Sequence, residues 1–222
     1  MFISNSYLSL AQMKVNAQYI LDYLLAKGWT KNAVCGMLGN MQTESTINPG
    51  IWEGLQEGDL NDGVGLVQWT PATKYLWWAD SEGLQRLNME SQLKRILWEV
   101  ENDEQWIWSS MTFTEFTQSS LPAYDLGMLF IKAYERPYDV NQPIRGTQAE
   151  YWFSELSGES SCGRGGDEGL DDGRVETLVS VNGSISKTDV YLSVRCEEKD
   201  AERMIFIIKR TLGLACKRME LA

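Results

Sequence analysis

Tryptophan divides this chain into two unequal parts. All nine tryptophans lie at or before Trp152, and beyond residue 158 only Tyr191 and Phe206 are aromatic. Large aromatic side chains dominate the energetics of a core, so a sizeable core is expected only in the first part. Charge follows the same division. Residues 1–158 hold 10 Lys/Arg against 19 Asp/Glu, and residues 159–222 hold 10 against 12. Between the parts runs SGESSCGRGGDEGLDDGR, whose Gly, Ser and Asp have the composition of a flexible linker. The expected organisation is a folded domain at 1–158, a linker at 159–173 and a small module at 174–222.

The first part reads as mostly helical. Ser9 is placed to cap a helix carrying Leu10, Met13, Ala17, Ile20, Leu21 and Leu24, which ends at Gly28. Thr30 caps the next, with Val34, Met37, Leu38 and Met41 on one face, and Gly36 and Gly39 leave room for a close neighbour. Thr70-Pro71 reads as a helix start with Pro at the first position. Asn88 opens a helix with Leu93, Ile96, Leu97 and Val100, while Thr112 with Glu115 and Thr147 with Glu150 match the capping box. Leu126, Leu129, Phe130 and Ala133 mark a further helix, stopped by Pro137.

Residues 50–69 carry glycines at 54, 58, 63 and 65 and read as loops with a short β-hairpin. The expected class is therefore α+β, mostly α-helical with a small β/loop region. The tail alternates at period two through Val175, Thr177, Val179 and Val181, then Val190, Leu192 and Val194, followed by a helix with Met204, Ile208 and Leu212. That is a ββα module, near the lower limit of size for folding alone.

Composition excludes several chemistries. The net charge is −11, which repels nucleic acid. The chain has no histidine, which removes Ser-His-Asp and Cys-His nucleophiles, HExxH metalloproteases and His-ligated zinc. Acid–base work falls to carboxylates, Tyr, Lys or Cys. Cys35, Cys162, Cys196 and Cys216 form no CxxC motif and no disulfide framework, and Cys35 reads as a small buried hydrophobe. Asp59 to Gly63 and the run from Asp167 both miss the calcium-loop spacing, so neither a metal nor another cofactor is expected. No apolar run approaches a membrane span, and MFISNSYLSLAQMK has neither the basic start nor the apolar stretch of a signal peptide.

One residue stands against its surroundings. Glu44 follows Met41 by three positions and Met37 by seven, so all three share a helical face. A carboxyl on a buried stripe is pushed toward its protonated form. The dipole at a helix C-terminus adds only about 0.3–1 kcal/mol in the same direction. A carboxylic acid that keeps its proton is what glycosidic cleavage requires as donor to the leaving oxygen. Downstream, GVGLVQW supplies glycines that let a backbone approach a ligand, the amide of Gln68 and the flat face of Trp69, with Trp52 and Tyr75 close in sequence. Amides and aromatic faces suit the polar edges and apolar faces of sugar rings.

These motifs carry a resemblance. ES, then NP, then GLVQWTP resembles the lysozyme and lytic transglycosylase superfamily. The stretch from KVNAQYILDYLLAKGW through MQTESTINPGIW, with LKRILWEV, YERP and QAEYW, resembles the phage tail lysozyme domain, in particular that of podophage tail-tip morphogenesis proteins. The resemblance covers about residues 1–158. It implies a lysozyme-like fold that cuts the β-1,4 bond between N-acetylmuramic acid and N-acetylglucosamine in bacterial peptidoglycan. Glu44 is then the general acid, Gln68 binds substrate, and Tyr134 and Glu135 of YERP line the cleft. Phage tail-tip proteins are the implied partners, and the virion tail the implied location. Similar tail proteins carry a His-ligated zinc endopeptidase after the linker, which this chain cannot build; attachment or oligomerisation is the expectation for the tail.

Hydrolysis usually needs a second carboxylate, and Glu53, Glu57, Asp59, Asp62 and Glu135 are the candidates. A lytic transglycosylase needs none, because the substrate's own hydroxyl attacks. A binding or structural tail protein without catalysis is the third reading.

Overall fold

The computed structural model describes residues 1–107 and 109–157. The expected linker and ββα module, including Cys162, Cys196 and Cys216, lie outside the described residues. Among those described, the fold is mostly helical, and no helix is long and apolar enough to cross a membrane.

Helix α1 spans Leu10–Leu25 and α2 spans Lys31–Ser45. The caps follow local chemistry. Ser9 accepts from Gln12 N in a full capping box, and Thr30 accepts from Ala33 N. Helix α2 is the centre of the molecule. It is buried on almost every side from Ala33 to Met41 and packs against α1, α5 (Phe113–Thr117), α6 (Ala123–Phe130) and α7 (Pro143–Glu155). The expected room at its glycines is used. A Cβ at Gly36 would lie 2.7 Å from Leu126 Cβ of α6, and one at Gly39 would lie 2.7 Å from Ala149 N of α7. Close helix approach thus requires glycine at both positions. Asn40 adds a polar tie, donating to Gly36 O (3.1 Å) and to Gly127 O of α6 (2.9 Å).

Helices α3 (Thr73–Ser81) and α4 (Met89–Glu101) form the other wall. Asn88 caps α4 and Thr112 caps α5 in a capping box with Glu115, as expected. Two expected starts are corrected. Helix α3 begins at Thr73, so Pro71 sits in a turn ahead of it instead of at its first position. Thr147 lies inside α7, because Pro143 already occupies the first turn, where its missing N–H costs nothing; Thr147 Oγ1 instead donates back to Pro143 O. The helix expected to run to Pro137 is α6 continued by one π-type turn, Ile131–Glu135, which ends at Arg136 in the left-handed conformation.

The expected hairpin in residues 50–69 is reduced to two isolated antiparallel bridges, Trp52 with Val64 and Val64 with Trp69. The glycine-rich chain is held by side chains instead of a ladder. Gln92 of α4 accepts from Leu66 N (2.8 Å) and donates to Pro49 O (2.7 Å). Ser45 Oγ, at the end of α2, donates to Leu66 O (2.7 Å). These bonds fix the Leu66–Gln68 segment beside Glu44.

Candidate active-site cleft

Helix α2 ends at Ser45, one residue after Glu44. Thr46 takes the left-handed conformation, and the N–H groups of Thr46 and Ile47 close on Gln42 O and Met41 O. The stripe of Met37 and Met41, fully buried, runs out of the core at Glu44, whose side chain is 22% exposed. It opens on a cleft of about 620 Å³. One wall is Glu44 with Val67, Gln68 and Trp69; Tyr134, Glu135 and Arg136 line it from the π-type turn, and Glu53 and Lys74 are also at its surface.

Of the residues singled out in the sequence, the cleft brings together Glu44, Gln68, Trp69, Tyr134 and Glu135 but does not include Trp52, which is buried. Their engagements differ. Gln68 is held in the left-handed region and its Nε2 donates to Gly65 O (2.9 Å), so its amide braces the loop it belongs to. Trp69 and Tyr134 are almost wholly buried. Trp69 stacks on Tyr75 at 4.6 Å, and Tyr134 stacks on Phe130 at 4.5 Å. Both spend their polar tips on Glu99: Trp69 Nε1 donates to Oε1 (2.9 Å) and the Tyr134 hydroxyl to Oε2 (2.5 Å). Arg95 Nε donates to the same Oε1 (2.9 Å). Glu99 is thus a buried hub that ties α4, the glycine-rich loop and the π-type turn together under the cleft floor. Burial pushes its carboxyl above the usual range, against the pull of these three donors.

Glu44 has a partner that the sequence did not announce. Arg145 of α7, 4% exposed, places Nη1 2.5 Å from Glu44 Oε1. The same guanidinium reaches Asn40 Oδ1 (3.3 Å) and Gln142 Oε1 (2.9 Å), so its orientation is fixed from two helices. A signal existed: Arg145 is in phase with the buried Ala149 and Trp152 of α7, a charge on an apolar stripe like Glu44 itself. Glu99 shows the same pattern, in phase with Gln92 and Ile96 on the buried face of α4.

Glu135 is the second unusual acid. The residue is partly exposed, but its Oε1 is closed to solvent and finds no hydrogen-bond partner among the described residues. Its carboxyl is held well above the usual range, first by burial and then by the negative charge of Glu44, with Glu99 adding to the effect and Arg145 and Arg136 opposing it. Arg136 itself donates to the carbonyls of Gln105 and Ala133. Of the loop acids, Glu53 lines the cleft and accepts from Gly63 N (2.9 Å), whereas Glu57, Asp59 and Asp62 do not line it. Among the described residues no cluster of acids and thiols has the arrangement of a metal site. Cys35 is buried in α2, its thiol pushed up to about 12 by burial, and is packing.

Known proteins share this chain's sequence across the cleft-forming region. The profile of the phage tail lysozyme family matches residues 15–156, which include every cleft residue named above. The chain is also similar to morphogenesis protein 1 of Bacillus phage B103, 67% identical over 165 residues that make up 73% of this chain and 45% of that protein. The chain therefore spans about half the length of this curated relative. A match over well more than half of the 222 residues decides membership: the chain belongs to the phage tail lysozyme family.

Proposed function

We propose that this chain cuts the glycan strands of bacterial peptidoglycan at the β-1,4 bond between N-acetylmuramic acid and N-acetylglucosamine, with Glu44 delivering the proton to the leaving oxygen. The observation that carries this reading is the position of Glu44. It ends a buried helix, keeps one side open to a sugar-sized cleft, and is held in place by Arg145. A proton donor fixed beside a cleft is the arrangement that acid-catalysed glycosidic cleavage needs. Gln68, Trp69, Tyr134 and Glu135 shape the wall on which the saccharide lies, and Trp52 is part of the core instead.

Hydrolysis with a second carboxylate would draw on Glu53 or Glu135, both at the cleft. One observation favours a second reading, lytic transglycosylation. Glu53 already accepts from Gly63 N, and Glu135 is closed off at Oε1, so neither carboxyl stands free to position an attacking water. In that case the muramic 6-hydroxyl captures the sugar carbon and no enzymic base on the opposite face is required. Mass spectrometry of the fragments released from purified peptidoglycan tests the proposal. Muropeptides with reducing N-acetylmuramic ends support hydrolysis, 1,6-anhydro ends support transglycosylation, and no released fragments would contradict glycosidic cleavage.

The setting we infer is the phage tail. The family is one of tail lysozymes, and the relative in phage B103 is named for morphogenesis, which supports tail-tip proteins as partners and peptidoglycan as the target. The charge of −11 gives no long-range attraction to an anionic wall, and attachment to a virion would supply the local concentration instead.

A further inference from the structure

Outside glycine, left-handed backbone is uncommon and costs energy that the surrounding structure must offset, so where it gathers, position is fixed at the expense of ease. Seven non-glycine residues among those described take a positive φ. Of these, Gln68, Gln105 and Arg136 line the cleft, and Thr46 and Ile47 follow the end of α2 that carries Glu44. Gln68 lies on the wall assigned to the saccharide, and Arg136 spends Nη1 on two backbone carbonyls. Gln105, in the segment after α4, has neither role.

Gln105 is half-buried, with φ 66°. Glycine or asparagine takes that conformation at less cost. The segment is pinned to the π-type turn: Arg136 Nη1 donates to Gln105 O (2.5 Å), and Ile107 N to Ala133 O (3.1 Å). The side chain is pinned as well, its Nε2 donating to Tyr134 O (3.1 Å). A carbonyl oxygen only accepts, so the amine end of the amide faces Tyr134 O and Oε1 is left over. Oε1 accepts from no group among the described residues. Gln68 is built the same way, with φ 50°, Nε2 on Gly65 O (2.9 Å) and Oε1 left over. Two glutamines from different segments thus bring to one cleft a braced amide whose remaining capacity is to accept.

We propose that Gln105 is a substrate-binding residue whose Oε1 accepts a hydrogen bond from the acetamido N–H of the glycan, so that it selects for N-acetylated sugars. This rests on the glycosidase reading above. Sugar hydroxyls donate or accept as needed, whereas an acetamido N–H only donates, and both sugars of the peptidoglycan strand carry one. Such an N–H covered by a cleft wall without an acceptor loses its bond to water and gains nothing in return. An acceptor already braced by the protein meets that need without ordering a free side chain on binding.

The test measures binding of two probes by the full chain: the β-1,4-linked trimer of N-acetylglucosamine and the β-1,4-linked trimer of glucose, which has a hydroxyl in place of each acetamido group. The wild type is expected to bind the acetamido probe more tightly. Gln105→Met keeps the length of the side chain and offers no amide oxygen. It should weaken binding of the acetamido probe about three- to tenfold and leave the glucose probe unchanged. On peptidoglycan the same variant should raise KM by a similar factor with kcat little changed. A brace that only holds Tyr134 in place would weaken both probes alike or lower kcat, and either result overturns the proposal, as does a wild type without preference for the acetamido probe. Should Gln105→Met fail to fold, Gln105→Gly, which is at ease at this φ, takes its place with the same expectations. Fragment release by the wild type together with unchanged probe binding in the variant sinks the contact alone. A wild type that releases no fragments sinks the glycosidase reading, whatever the probes show.

Discussion

The guanidinium of Arg145 closes on the carboxylate of Glu44 at 2.5 Å, joining the end of α2 to the first turns of α7. Because Arg145 is also held by Asn40 and Gln142, the pair orients Glu44 and does not merely neutralise it. Replacing Arg145 by Met keeps the volume but strands a partly buried carboxylate. Breaking a buried pair costs about 3–5 kcal/mol. With Glu44 still 22% exposed, the low end, about 3 kcal/mol, is expected. Urea unfolding measures this loss, and peptidoglycan cleavage at a temperature where the variant is folded should fall as well.

Glu99 makes a separate and sharper case. Its side chain is 1% exposed and accepts from Trp69, Tyr134 and Arg95. Glu99→Ala leaves three buried donors without an acceptor, for a loss of about 3–5 kcal/mol. Tyr134→Phe removes a single bond to a charged group and should cost about 1.5–3 kcal/mol. Thermal melts that rank the two variants in the opposite order would contradict the hub assignment.

Gly39→Ala acts at a distance from the cleft. The added methyl meets the backbone of Arg145 and Ala149, so α7 must shift or strain. Overpacking of this kind costs about 1–3 kcal/mol. Since Arg145 rides on α7, cleavage should drop by more than the folded fraction alone explains. Activity that tracks the folded fraction would show that the position of α7 does not matter to Glu44.

Stability should fall as pH rises. Glu135 and Glu99 both hold their protons above the ordinary carboxylate range when folded. Unfolded, they release them in that ordinary range, so between the two values the unfolded chain binds fewer protons and rising pH favours it. Their contribution is fully present below about pH 4 and is lost on the way to each folded value. The urea midpoint is therefore expected to drop as pH rises above the ordinary carboxylate range, and to drop less in Glu135→Gln. Equal slopes in the two proteins would contradict a raised Glu135.

Much of the helical frame was legible because its signals are local. Ser9, Thr30, Asn88 and Thr112 cap helices through bonds to residues three positions away, which a sequence displays directly. Gly36 and Gly39 announced close packing, though not against which helices. Thr147 misled, because a local pattern cannot reveal that Pro143 has already begun the helix. The hairpin misled because Gln92 and Ser45, distant in sequence, hold the loop in place of a ladder. Glu44 stood out as a charge on an apolar stripe, but Arg145 and Glu99 carry the same mark and their partners lie on other elements. Trp69 was read for its flat face and Tyr134 for its place along the cleft, while the fold spends their polar tips on Glu99.

The central claim is that Glu44 supplies the proton for glycan cleavage, and the most direct measurement is the release of soluble fragments from purified peptidoglycan by wild type and Glu44→Gln side by side. Circular dichroism and a thermal melt of the same samples establish that both are folded. The account predicts steady release by the wild type and a loss of about a hundredfold or more in the folded variant, the scale of a positioned acid. Release by folded Glu44→Gln at the wild-type rate would contradict it.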